Sequence, residues 1–214
     1  MAKSQTAAEL KQWHLRVLGD DLGSVFHALY GEVIWLHIKQ ALLTKLYAYS
    51  EERTKLMKKV APLFFDNLNH ILVNDILLHL VKLTDDPGTG ARQNLTMWRL
   101  PDLIDDDQLR RLVSEDLNLI EKQRTFVLKL RNKHLAHFDL NYVLSDYTFD
   151  DGSKTGVSNV EAIIRRIDTI LNRIYEAKAN HKMYFDAVPL EDDTDDLMVY
   201  LEKGLKADED ELYE

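Results

Sequence analysis

Apolar residues recur every three or four positions along most of this chain, the spacing that gathers side chains on one face of an α-helix. The first series runs through Leu18, Leu22, Val25, Leu29, Val33 and Leu36, and the second through Leu68, Ile71, Leu72, Ile76, Leu80 and Leu83. A third takes in Leu109, Leu112, Val113, Leu117, Ile120, Val127 and Leu128 and continues to Arg131. A fourth contains Ile163, Ile164, Ile167, Ile170, Leu171 and Ile174. No segment alternates apolar and polar residues with the period of two that marks a strand. The pattern predicts an all-α protein, an antiparallel bundle of about four to five main helices joined by short links.

The expected helix boundaries follow from capping chemistry. Thr6-x-x-Glu9 and Ser158-x-x-Glu161 have capping-box spacing, in which hydroxyl and carboxylate each accept from an early backbone N–H. Ser50 suits an N-cap, Pro62 should kink or restart a helix, and Asp105, Asp106 and Asp107 suit the positive end of a helix dipole. Gly19, Gly23 and Gly31 lie inside the first series, where each weakens a helix by about 1 kcal/mol against Ala. Close packing is therefore expected there, with a break near Gly19. Residues 84–90 and 150–153 read as loops, and a short helix is expected from about Thr96 to Leu100.

Composition narrows the class. Of 214 residues, 45% are hydrophobic, enough for a core, while 8 Gly and 4 Pro are too few for a many-turned all-β fold. The net charge of −9 is uneven: residues 186–214 hold 12 acidic groups against Lys203 and Lys206, leaving the rest of the chain at +1. Overall acidity is thus no argument against RNA as a partner. The organisation expected is one helical domain over residues 1–185 and an acidic tail over 186–214. The tail reads as a solvating acidic segment that can hold a short helix from about Thr194 to Lys206; the alternative is that it folds over the positive cleft and competes with RNA. The absence of cysteine excludes disulfides and thiolate metal sites. The opening residues lack an apolar signal core, and no run of about 18 uncharged apolar residues occurs. A cytoplasmic protein without a membrane span is expected.

The segment from Leu130 to Asp139 carries the most chemistry. Arg131 is followed after five residues by His137. A guanidinium stays charged and grips phosphate oxygens through two N–H groups, and an imidazole titrates near neutrality and can serve as base or acid. Together they supply what metal-free RNA cleavage by the 2′-hydroxyl requires, including positive charge around a pentacoordinate phosphorus. Spacing by itself decides nothing, because 11 Arg and 8 His give roughly one such pair by chance. On a straight helix the two side chains would also point about 120° apart. They converge only if the helix bends or ends, or if a second subunit completes the site.

Arg131-Asn132 followed by Leu135-Ala136-His137 resembles the R-x(4–6)-H motif of the HEPN superfamily, and the chain is most similar to its abortive-infection AbiU-like branch. Leu18-Gly-Asp-Asp-Leu-Gly23, Ile76 to Asp85, Asn94-Leu-Thr96 and Arg99-Leu-Pro101 extend the likeness, which covers residues 13–175. The resemblance implies a helical homodimer whose two motif copies line one cleft, and a metal-independent endoribonuclease of a phage-defence or toxin system. It implies that Arg131 holds the scissile phosphate, His137 is the general acid and base, and Asn132 orients a neighbour or the RNA. An antitoxin or regulatory protein is a further expected partner. Some toxin relatives carry a tyrosine just past the His that a nucleotidyltransferase antitoxin modifies. Here Phe138 and Asp139 follow instead, which argues against that control. Many members of the superfamily have lost catalysis, so a non-catalytic dimer that binds RNA or protein is the alternative reading.

Other residues take supporting roles. Arg124, Lys129, Lys133 and His134 give the approach to the motif a positive bias suited to phosphate contacts. His134, His137 and Asp139 form an incomplete metal-ligand set with no cysteine to complete it, so neither metal nor cofactor is expected. Asp75 and His79 lie one helical turn apart within an apolar stripe, where an ionisable group needs a partner. They read as a hydrogen-bonded pair that satisfies itself or bridges helices, with a cleft-facing role in tuning the motif as the sharper alternative. Trp13, Trp35 and Trp98 read as core or interface anchors.

Overall fold

A computed structural model of the chain describes residues 6–130, 154–185 and 191–211. Among the described residues the structure is helical throughout, with no strand. Its elements are α1 (Ala7–Leu18), α2 (Asp20–Leu43) continued by a π-helical turn (Thr44–Ala48), α3 (Glu51–Val60) and α4 (Pro62–Thr84). Two 3₁₀ turns (Met97–Arg99 and Pro101–Leu103) follow, then α5 (Asp107–Gln123), α6 (Thr125–Leu130), α7 (Lys154–Ala179) and α8 (Glu191–Glu211). The described residues fall into two compact units, one within residues 1–33 and 77–185, the other within residues 34–76 and 186–214.

Local chemistry sets many of the boundaries. Thr6 and Glu9 form the expected capping box of α1: the Glu9 N–H donates to Thr6 Oγ1 at 3.2 Å and the Thr6 N–H to Glu9 Oε2 at 2.8 Å. Ser50 caps α3, Pro62 opens α4, and Asp106 caps α5 by accepting from the Leu109 N–H at 2.7 Å. The first apolar series breaks at Gly19, which caps α1 at φ +85°, a conformation that favours glycine. Gly23 is needed for a different reason. A Cβ there would lie 2.7 Å from the His14 carbonyl oxygen and 2.8 Å from Leu15 Cα, so α2 leaves α1 in backbone contact. Gly31 has no such neighbour, and close packing is not its explanation.

Within the first unit, α5 and α7 run antiparallel. Asp106, Gln108 and Leu109 at the start of α5 share a shallow groove with Arg173 and Lys178 near the end of α7, while Asp116 farther along α5 meets Arg166. Val113, Leu117 and Ile120 from α5 and Ile163, Ile167 and Ile174 from α7 are all fully or almost fully buried. Asp116 is buried with them and accepts from Arg166 Nη1 and Arg173 Nε, each at 2.8 Å, which satisfies the buried carboxylate. After α7, Asn180 turns the chain at φ +56°. Asn172 then clamps Met183 through both amide groups, at 2.8 and 3.1 Å, and Phe185 is buried.

In the second unit, Leu46, Met57, Phe65 and Met198 form a small core. Met198 belongs to α8, and here the structure departs from the expected solvating tail. Thr194, Met198, Leu201 and Leu205 recur at helical spacing, and this stripe packs α8 against α3, with Asp195 on Arg53. Burial of a narrow apolar stripe holds a helix of strongly acidic composition in place. It extends to Glu191 and Glu211, well past the expected Thr194–Lys206.

Two further boundaries differ from the sequence-based expectation. Helix α7 begins at Lys154, so Ser158 lies inside it, and Glu161 contacts Arg165 at 3.4 Å. The third apolar series is not one helix: it breaks at Arg124, and α6 starts afresh at Thr125.

Candidate functional site

The chain approaches the Arg-His motif through α5 and α6. Arg131, Asn132, Lys133, His134 and His137 themselves lie outside the described residues. Their approach is described up to Leu130. Helix α6 has Val127 buried and Lys129 exposed. Lys122, at the end of α5, is also exposed, and both lysines are open to solvent and to an anionic ligand.

Arg124 is differently placed. It occupies the C-cap of α5, and its guanidinium donates to both oxygens of Glu121, from Nε at 2.6 Å and from Nη2 at 3.1 Å. Nη1 lies 3.9 Å from Asp85, and only 13% of the side chain is exposed. Two hydrogen bonds thus hold this cation on Glu121, while Asp85 stays beyond hydrogen-bond distance.

Asp75 and His79 each contact α2. Asp75 Oδ2 lies 2.6 Å from Lys39 Nζ in the second unit, and His79 Nε2 lies 2.9 Å from Glu32 Oε2 in the first. His79 is buried, Asp75 is half exposed, and each meets an oppositely charging group on α2. Of the tryptophans, Trp13 donates to the Tyr175 hydroxyl at 2.9 Å and Trp98 to the Thr84 carbonyl at 3.2 Å. Both are anchors. Trp35 instead is 58% exposed.

The sequence reading missed a histidine pair in the first unit. His14 on α1 is fully buried, and its Nδ1 lies 3.1 Å from Nδ1 of His27 on α2. Phe26, Tyr30 and Tyr175 surround the His14 ring edge-on at 5.2 to 6.0 Å. Burial, reinforced by His27, pushes the His14 pKa down to about 4; burial and Lys11 lower that of His27. A pair kept neutral this way shares one N–H between two nitrogens and suits a packing role better than surface acid–base chemistry. No periodicity could reveal it, because a helix break separates the two histidines. Among the described residues no three His, Asp or Glu side chains cluster as metal ligands, and no helix is long and apolar enough to cross a membrane.

No curated protein and no solved structure matches the chain. A family model does: residues 19–197 match that of the HEPN domain family AbiU2. The match spans α2 to the first turns of α8, including helices α2 to α6 and the Arg131–His137 segment that follows them in sequence. With most of its length matched and an all-helical fold, the chain belongs to the AbiU2 family of HEPN domains.

Proposed function

We propose that this protein is a metal-independent endoribonuclease of a phage-defence or toxin type that works as a homodimer. The observation that carries the reading is Arg131-Asn132 with His137 in a chain of the HEPN AbiU2 family. His137 takes the proton from a ribose 2′-hydroxyl, whose oxygen attacks the adjacent phosphorus. The bond to the 5′-oxygen breaks, that oxygen receives a proton, and the products are a 2′,3′-cyclic phosphate and a 5′-hydroxyl. Arg131 neutralises the charge that builds on the phosphoryl oxygens, and Asn132 orients the His or the RNA. Lys133, His134 and the exposed Lys129 contact flanking phosphates. Overall acidity does not count against an RNA partner: residues 1–33 and 77–185, the span of sequence that includes the motif, carry 19 basic and 20 acidic groups. The acidity of the chain resides almost entirely in the other unit.

Expression of wild type and His137→Ala in a bacterial host, with growth and total RNA integrity followed together, tests the reading. Growth arrest with RNA cut to cyclic-phosphate ends, insensitive to EDTA and abolished by the substitution, is the expected result. Intact RNA with both proteins, while purified protein still binds RNA, would move the assignment to a non-catalytic binding dimer.

A further inference from the structure

Several of the largest apolar side chains in the second unit stand in solvent. Trp35 on α2 is 58% exposed, and on α4 Leu63 is 77% and Phe64 and Ile71 are each 63% exposed. They are not scattered. Phe64 and Ile71 are seven residues apart, two turns along one helix face. Trp35 shares a face with Lys39, four residues on, and Ile71 shares one with Asp75. Lys39 Nζ lies 2.6 Å from Asp75 Oδ2, which ties the two faces together. Trp35, Ile71 and Phe64 therefore line one strip of surface, with Ile71 between Phe64 and the ion pair, and Leu63 beside Phe64 in the first turn of α4.

The strip is already well supported from beneath. The Phe64 ring meets that of Phe65 edge-on at 5.2 Å, and Phe65 is buried in the small core with Leu46 and Met57. Asn67, one turn before Ile71, donates its amide to the Leu63 carbonyl at 2.8 Å, and a group bonded within its own helix can be covered without losing that bond.

Area and charge identify the occupant. At these exposures the four side chains leave on the order of 500 Å² of apolar surface bare, near the top of the range of about 300–600 Å² for the largest patch on a monomer. A standard interface takes about 800 Å² from each partner, and about 65% of a homodimer interface is apolar, which again comes to roughly 500 Å². The strip thus has the apolar area that one side of a dimer needs. Its two charges, Lys39 and Asp75, cancel each other. Residues 34–43 and 62–76 contain no Lys or Arg other than Lys39, so the strip suits neither RNA phosphates nor an anionic lipid surface. A second copy presents the same neutral apolar face, and an isologous contact between the two leaves both ion pairs intact.

We propose that two copies of this chain associate through the α2–α4 face of the second unit, with Trp35, Phe64 and Ile71 buried at the contact. The inference rests on the homodimer reading given above and adds where the dimer forms, and the two can fail separately.

The test uses the full-length chain, wild type beside Ile71→Asp, Phe64→Ser and the control Tyr200→Ser, which alters another exposed aromatic of the same unit, on α8. Gel filtration with light scattering over a dilution series gives mass and dissociation constant. Wild type should run at twice the chain mass. Ile71→Asp should raise the dissociation constant at least about 30-fold, the effect of losing a central contact residue, and Tyr200→Ser should change it by less than about threefold. A dimer that survives both Ile71→Asp and Phe64→Ser unweakened overturns the proposal and leaves the homodimer reading standing. A monomeric wild type overturns both.

The chain has no cysteine, which gives a second arm that depends on proximity alone. Ile71 lies in the middle of the strip, so its two copies come close to the two-fold axis of an isologous contact. Single-cysteine variants Ile71→Cys and Tyr200→Cys are treated with a short bismaleimide. Ile71→Cys should be captured as a covalent dimer and Tyr200→Cys should stay monomeric. No capture through Ile71→Cys, or equal capture through both, overturns the proposal. Because this variant keeps a small apolar side chain at position 71, it keeps the test decisive should Ile71→Asp fail to fold.

Discussion

His14 and His27 face each other Nδ1 to Nδ1 at 3.1 Å across the break between α1 and α2, so one ring must donate and the other accept. A further proton on the acceptor ring would set two Nδ1–H groups face to face and place an imidazolium in a buried, aromatic-lined site. Both histidines have pKa values below that of an exposed imidazole, His14 at about 4. The unfolded chain takes up protons as pH falls below about 6.5, whereas folded His14 does so only near pH 4. In that interval the unfolded state binds more protons, so stability falls as pH falls, by at most about 3 kcal/mol from His14. Urea midpoints measured from pH 7.5 to 4 should drop for wild type and drop less for His14→Phe. Parallel curves would mean that His14 takes up its proton without penalty in the fold.

Two glycines on α2 should respond to alanine in opposite directions. Gly23→Ala forces a methyl group against the backbone of His14 and Leu15, neither of which can rotate away. A loss of about 1–3 kcal/mol is expected from overpacking. Gly31 is inside the same helix with nothing within 4 Å of an added Cβ, so Gly31→Ala should stabilise by about 0.5–1 kcal/mol. Thermal melts of the two variants beside wild type give both signs in one experiment.

The same contrast shows what the sequence could and could not reveal. Helix starts that depend on one local side chain, at Thr6, Ser50 and Asp106, were readable because the capping chemistry is contained within four residues. Ser158 had equally good spacing, yet α7 begins four residues earlier, so a capping signal marks compatibility and does not fix the boundary. The α5–α6 break left no trace, because Ile120, Val127 and Leu128 keep helical spacing across it. The core of helix α8 was expected over Thr194–Lys206, but its packing was obscured by its charge: 10 acidic residues in 21 outweigh a stripe of Thr194, Met198, Leu201 and Leu205 in any reading by composition. The Arg-His segment was legible only through resemblance, since its spacing arises by chance. The His14–His27 and Asp116–Arg173 pairings span 13 and 57 positions and depend on tertiary packing.

Asp116 should be among the most sensitive polar positions. Its carboxylate is 7% exposed and holds Arg166 from one oxygen and Arg173 from the other. Asp116→Ala leaves two guanidinium groups without their partner beside the α5–α7 core, at a cost of about 3 kcal/mol. Arg173→Ala, with 39% of that side chain exposed, should cost no more than about 1 kcal/mol because solvent screens the pair. Denaturant titration of the two variants checks the ranking, and equal losses would show that the clamp acts as a single unit.

Deleting residues 186–214 removes more than negative charge. Met198 fills a site between Leu46, Met57 and Phe65, so truncation opens that small core to water as it removes the acid. An effect of the deletion on RNA binding would therefore mix electrostatics with damage to the second unit. Point substitutions separate the two. Met198→Ala should lower stability by about 2–4 kcal/mol through the cavity it leaves, with the net charge unchanged. Asp193→Asn and Asp196→Asn alter exposed side chains and should change stability by less than about 0.5 kcal/mol, while the net charge rises by two. If RNA affinity follows the two Asn substitutions and ignores Met198→Ala, the acidic helix acts through its field. If it follows Met198→Ala alone, the packing of α8 on α3 is what matters.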